Sequence, residues 1–518
     1  MFMRRLILLL LCGCFACLSV AATDREEAAT GRVLTLALGA EPDAGFDPIL
    51  GWGKYNRPLF QSTLLRRNKQ LELVGDLATS WTLSADRLTW QVSLRKGVNF
   101  SDGTRLTAED IKFTFDIAKQ IASIHDLTNL EKVEVVSDGE LRFHLQQADI
   151  TFIDNFVSLA IVPKASYGPR YGLAPVGSGP LKFVRWDRNQ QLIMVPNPYY
   201  YGQKLQFKKV VVIFSDEDSR YSRLRVGQLD LSAIAPRYAQ LLPPTYRLWR
   251  IDSVDNRGIA WPMLPKQGNN IGNDVSSDLA IRTAIDLVID RQVLVEQLLE
   301  GHATPAYSIA DGLPWGPVAQ AHEPQVDPEV AIALLEKNGW QLQGGIRQRD
   351  GVKASMTLYY LAGDTVRQQL ALAVAQMVKP LGIQITPVGK SWEAIYKQMH
   401  QQPVLFGFGS HSATEVRGVH HSQYRGQGYF NSGYYSNPEV DNALDEAQHA
   451  LSWQASLPYW QSAQQFIAQD KPWTWLVNLK HLYAANVCLD LDSPGIEAHG
   501  HGWPLANNIE HWRWQCPN

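Results

Sequence analysis

Strand-like and helical segments alternate along this chain from Arg32 onward. Val33-Leu34-Thr35-Leu36-Ala37-Leu38 reads as a strand, and Leu88-Thr89-Trp90-Gln91-Val92-Ser93-Leu94 alternates apolar and polar residues at the period of two that a strand requires. Thr107 and Asp110 form a variant of the capping box, opening a helix that runs on through Phe113 and Ile117. The all-apolar run 210–214 predicts a buried strand, followed by a helix over 219–226. Composition then shifts: 262–278 is rich in Gly, Asn, Pro and Ser and reads as a loop. Beyond it the pattern predicts a helix from Ile281 to Leu299 with Gly301 as its stop, a second over 328–337, a strand at Met356-Leu358-Tyr360, and a helix over 366–378. An alternation carried over 518 residues is too long for one hydrophobic core and predicts two or more lobes.

Composition narrows the class. A chain with 45% hydrophobic and 19% charged residues belongs with soluble globular proteins, not disordered ones. A net charge of −3 and no long basic run argue against nucleic acid as a partner. At the N-terminus, Arg4 and Arg5 precede an apolar run from Leu6 to about Val20, and Val20-Ala21-Ala22 supplies small residues for cleavage. Residues 1–22 therefore read as a signal peptide, and the mature protein as exported and periplasmic. Leu11-Cys12-Gly13-Cys14 loosely resembles a lipoprotein box, so an anchor at Cys14 or Cys17 stays open. Cleavage near Ala22 leaves Cys488 and Cys516, and an oxidising compartment permits a disulfide between them.

Ala498-His499-Gly500-His501-Gly502-Trp503-Pro504 carries the most specific chemistry. Gly500 gives the backbone between two histidines conformations closed to other residues. Both rings can then present neutral nitrogens to one borderline metal such as Ni²⁺, Zn²⁺ or Cu²⁺. A metal-dependent hydrolase would be another use of such a pair. The chain has no H-E-x-x-H and no G-x-S-x-G, however, so it reads as a non-enzyme with no catalytic residues and no resident cofactor.

Several landmarks together resemble the peptide, dipeptide and nickel class of periplasmic solute-binding proteins serving ABC importers, known as family 5. They are Asp76-Leu77-Ala78-Thr79-Ser80-Trp81, the stretch from Trp90 to Gly103, Thr107-Ala108-Glu109-Asp110-Ile111, Gly177-Ser178-Gly179-Pro180-Leu181, Asn197-Pro198-Tyr199-Tyr200 and Arg282-Thr283-Ala284-Ile285-Asp286. The resemblance implies an α/β, two-lobed periplasmic-binding-protein (Venus flytrap) fold with mixed sheets and a hinge. The expected limits are 23–260 for the N-terminal part of lobe I, 261–476 for lobe II and 477–518 for the segment returning to lobe I. Ligand would be trapped between the lobes by hinge closure and handed to a permease of the inner membrane, by a protein expected to be a monomer.

The C-terminal histidine pair, Gly51-Trp52-Gly53-Lys54-Tyr55 and the stretch 58–64 resemble the branch that binds nickel chelates such as Ni-(L-His)₂. In that reading His499 and His501 hold the metal, while Trp52, Tyr55 and Trp503 wall the pocket. Arg417, or less favourably Arg57, meets the chelator's carboxylates. His420 and His421 are further ligand candidates in the segment following Phe408-Gly409-Ser410-His411. Two protein imidazoles cannot satisfy bare Ni²⁺, so a metal already chelated by free histidine is the expected cargo. Some nickel binders of the family carry an arginine before the strand that here reads Leu159-Ala160-Ile161; this chain has Ser158 there, which favours a histidine-based mode. The alternative is a short-peptide binder, in which Glu415 meets the peptide amine and the histidine pair is incidental.

Overall fold

The computed structural model describes residues 30–517 apart from 40, 56, 122, 269, 318–324 and 501–502. The expected signal peptide and His501 lie outside the described residues.

Three sheets organise the molecule. The largest has seven strands in the spatial order Tyr246–Ile251, His481–Asn486, Leu231–Ala233, Thr30–Ala37, Phe207–Ile213, Gln191–Pro196 and Leu181–Asp187. Its centre is parallel, Leu34 pairing with Val210 and Leu36 with Leu231, while its flanks are antiparallel. Mixed pairing follows from how the strands arrive: hairpins build one flank, and a strand from the chain's end inserts near the other. Next to it stands an antiparallel sheet ordered Ala78–Leu83, Thr89–Leu94, Glu140–Leu145 and Leu130–Ser137. The helix Ala108–Gln120 lies against this sheet, with Phe115 packed edge-on to Phe143 and Phe156 in a fully buried cluster. These two sheets make the first lobe.

A six-stranded sheet makes the second, in the order Ala303–Pro305, Trp473–Leu479, Asn256–Ala260, Val404–Phe406, Ser355–Leu361 and Gln384–Lys390. Helices Leu279–Val288, Pro328–Lys337 and Thr365–Val378 bury Ile281, Ile285, Leu335, Leu370 and Val374 against it. The chain is thus a two-lobed α/β periplasmic-binding-protein fold with mixed sheets.

The chain leaves the first lobe's sheet after Ile251 and enters the second lobe's at Asn256; it returns between Leu479 and His481. The two crossings lie side by side, the Leu479 amide donating to the Asp255 carbonyl at 2.8 Å. Glu497 runs alongside as a third segment, exchanging backbone bonds with Asp252 and Val254, each at 2.9 Å. Away from the crossings the lobes touch again. The Ile150 amide donates to the Gln448 carbonyl at 2.9 Å, Tyr424 donates to Asp126 at 2.8 Å, and Arg237 donates to Thr365 at 2.8 Å. The lobes therefore meet at contacts beyond the crossings as well.

Candidate functional site in the interlobe cleft

Between the lobes lies a cavity of about 600 Å³. Its walls come from loops around Lys54, Arg67, Asp126 and Asp154 in the first lobe, from the helix Thr414–His420 and the bend before it in the second, and from the returning segment near Ile496 and Asn507. Charges of both signs line it.

Gly409 shapes the second lobe's wall. Its φ is +146°, and a Cβ there would meet the Val254 carbonyl oxygen at 2.2 Å, so only glycine lets the bend close on the crossing strand. Its amide donates to Glu415 Oε2 at 3.0 Å. Burial pushes the Glu415 carboxyl up to about 8, with nearby Lys54 pulling the other way. Across the cleft, Lys54 donates to the Ile124 carbonyl at 2.9 Å and lies 5.4 Å from the Phe430 ring centroid. Burial lowers its ammonium to about 8 against the attraction of Glu415 and Asp126. Asp154, raised by burial, is paired with Arg67 at 2.7 Å and accepts from Ser412 across the lobes.

A second cluster sits at the crossing. Asp255 Oδ1 takes Arg257 Nη1 at 2.5 Å and His499 Nδ1 at 2.5 Å, while its Oδ2 lies 3.1 Å from His481 Nε2. Burial opposes its charge, but Arg257, His499 and His481 outweigh that and hold the carboxyl well below the usual range. His481 also reaches Glu497 at 2.5 Å, and these two carboxylates raise its ring to about 9 despite burial. Burial moves His499 the other way, below its ordinary value, against the pull of Asp255. A neutral imidazole bonded through Nδ1 to an ionised carboxylate carries its proton there, which leaves the lone pair on Nε2. The His499 amide donates to the Gly409 carbonyl at 2.8 Å, and Tyr55 meets the ring edge-on at 6.3 Å. His499 thus joins the returning segment, the hinge crossing and the second lobe's wall.

Residues 72–415 match the family model for the middle region of bacterial extracellular solute-binding proteins, family 5. The chain belongs to that family. It is 34% identical to protein XP55 of Streptomyces lividans over 475 residues, covering 88% of this chain and 85% of that one. Its fold is similar to that of NikZ from Campylobacter jejuni in complex with Ni(L-His), with a TM-score of 0.83, 21% identity, and 93% of this chain and 99% of that one covered. The oligopeptide-binding protein AppA from Bacillus subtilis, in complex with a nonapeptide, superposes with a TM-score of 0.79 at 23% identity, covering 95% of this chain and all of that one. No helix among the described residues is long and apolar enough to cross a membrane.

Within this family 5 cleft the expected site residues fall into three places. Tyr55 and Arg417 line the cavity, Arg417 also pairing with Asp445 at 2.7 Å; His499 is not among the lining residues but sits behind Tyr55, bonded to Asp255 at the crossing. Trp52 and Trp503 are only 8% and 3% exposed. They pack edge-on at 5.2 Å with Phe46 between lobe sheet and loop, so their indoles fill the first lobe's core behind the cleft and do not wall it. Arg57 is committed to Glu510 and Tyr200. His421 accepts from the Gln423 amide at 3.0 Å beside Asp441 and Asp445, and His420 lines a separate cavity inside the second lobe. Adjacent residues at a helix end point different ways, which is why the two part company. Among the described residues no three His, Cys, Asp or Glu side chains form a metal-holding group. Sequence reasoning missed Asp255, Asp154 and Lys54 as site residues; Asp255 and Asp154 lie in no motif that signals a role, and Lys54 sits between Trp52 and Tyr55 in a landmark stretch that drew attention only to its aromatic residues.

Proposed function

We propose that this family 5 protein is the extracytoplasmic receptor of an ABC importer, capturing a transition-metal chelate, nickel with a histidine-type chelator first among them, and delivering it to a membrane permease. The contact of His499 Nδ1 with buried Asp255 carries this reading. Imidazoles that ligate metals give their second N–H to a carboxylate, which fixes the tautomer and raises the basicity of the ligating nitrogen. His501 would add a second donor and the chelator the rest. Arg417, on the cavity wall, would meet a chelator carboxylate. Because burial keeps the His499 ring below its ordinary value, loading should survive mild acidification better than an exposed histidine would allow.

A short peptide is the second reading. A cleft of about 600 Å³ lined by buried Glu415 from the second lobe and by Arg66, Arg67 and Asp154 from the first suits a zwitterion. Calorimetric titration of metal-stripped protein with Ni²⁺, with and without two equivalents of L-histidine, decides between them. Binding only in the presence of histidine, weakened at least about tenfold by His499→Ala, is the expected result. Silence toward nickel in both titrations, with heat from a short-peptide mixture, would replace the first reading by the second.

A further inference from the structure

Inside the second lobe, apart from the cleft, lies a cavity of about 270 Å³ between the helix Trp453–Asp470, the strand Trp473–Leu479 and the chain near Tyr307. Two residues on its wall carry buried polar atoms without a hydrogen-bond partner among the described residues, Nε2 of His420 and Oε1 of Gln464. Both residues are deeply buried, at 1% and 4% exposure. Two such orphan atoms on the wall of one cavity can have their bonding completed by whatever fills it.

Both orphans are acceptors. His420 Nδ1 lies 3.0 Å from the Val416 carbonyl, which can only accept, so the ring proton sits on Nδ1 and the lone pair on Nε2. Burial holds that ring at about 4, hence neutral. The Gln464 amide nitrogen donates to the carbonyls of Trp315 and Trp460 at 2.5 and 3.3 Å, which assigns the lone pairs of Oε1 to the unmatched side.

The rest of the wall limits what can enter. Both oxygens of Asp286 are occupied, one by Arg291 at 2.5 Å and the other by Lys471 at 2.7 Å. This cluster therefore holds one positive charge in excess, and the Lys471 ammonium keeps protons to donate. Trp473 and Trp475 stack at 4.5 Å with their planes 3° apart and line the same space. A cation would meet the excess positive charge, and an anion would face two lone pairs. An uncharged solute whose hydroxyls both donate and accept satisfies all three walls, with its C–H groups against the indoles.

We propose that this cavity is a second ligand site, taking a small uncharged polyhydroxy molecule of monosaccharide or cyclitol size. Its hydroxyls donate to His420 Nε2 and Gln464 Oε1 and accept from Lys471. All of these groups belong to the second lobe, so occupancy needs no lobe closure and does not depend on what the cleft carries.

Myo-inositol and D-glucose serve as probes, titrated into the purified protein with and without nickel and histidine, and followed by tryptophan fluorescence and ligand-observed saturation-transfer NMR. Saturable binding of at least one probe is expected, weakened about tenfold or more by Gln464→Leu. Ala468→Trp, filling the cavity from a half-buried wall position, should abolish it and stands as an independent arm if Gln464→Leu fails to fold. Absence of saturable binding by both probes overturns the proposal and leaves solvent as the partner of the two orphan atoms. Binding that persists unchanged in Ala468→Trp overturns it as well, by locating the probe elsewhere.

Discussion

Asp255 is the residue on which the hinge end of the cleft depends. Three cationic or protonatable groups converge on its buried carboxylate: Arg257, His481 and His499. Replacing a buried, paired charge strands its partners, so Asp255→Asn should lower the free energy of unfolding by about 3 kcal/mol, read as a shift in the denaturant midpoint. If His499 holds metal, the same change should also weaken nickel–histidine binding by roughly tenfold or more while sparing peptides, since it removes the group that polarises the imidazole. The histidine pair was legible in the sequence because it is compact. Asp255 was not, because its partners His481 and His499 lie 226 and 244 residues away along the chain. Trp52 and Trp503 show the opposite failure: aromatic residues beside glycines suit a pocket wall and a core equally, and only packing against Phe46 separates the two.

At the scale of elements, local chemistry is legible in the sequence where it is self-contained. The Thr107–Asp110 box caps the helix Ala108–Gln120 with both reciprocal bonds, and the run expected over 328–337 is the helix Pro328–Lys337. The expected helix from Ile281 to Leu299 is instead interrupted. It ends at Val288, Ile289 turns extended, and Asp290 caps a new start by accepting from the Val293 amide at 3.0 Å. The apolar period runs straight through that break, so periodicity alone hides it, and the buried ion pair of Arg291 with Asp286 fixes the offset. At the chain's end Cys488 and Cys516 are joined, closing a loop of 28 residues that also holds the short strand pair Leu489–Asp490 and Arg513–Trp514. A loop of that length predicts a stabilisation of about 3–4 kcal/mol. A Cys488→Ser/Cys516→Ser variant should lose that much in chemical unfolding, and hydrogen exchange should quicken first between the two former cysteines.

For the molecule as a whole, buried titratable groups set a pH at which the folded form is firmest. His125, His411 and His420 are held by burial at about 3, 4 and 4, below the 6.5 of an exposed ring. Below pH 6.5 the unfolded chain binds their protons more readily, so stability falls as the medium is acidified. Glu415, raised to about 8, and His481, raised to about 9, act in the other sense: the folded state holds their protons longer, and stability is lost as pH rises through those values. The burial-lowered imidazoles dominate below pH 6.5, and Glu415 with His481 above it, so the denaturant midpoint should peak near pH 6.5 and decline toward both pH 5 and about pH 8. A midpoint still climbing from pH 7 to about pH 8 would contradict these assignments. The seven-stranded sheet has one more consequence, for the order in which the chain can mature. Its strand His481–Asn486 lies between Tyr246–Ile251 and Leu231–Ala233, so a ribosome must release nearly the entire polypeptide before that slot is filled. Until then Tyr246–Ile251 has no neighbour in the sheet, and the open slot beside Leu231–Ala233 keeps the lobe from being completed before export of its last segment.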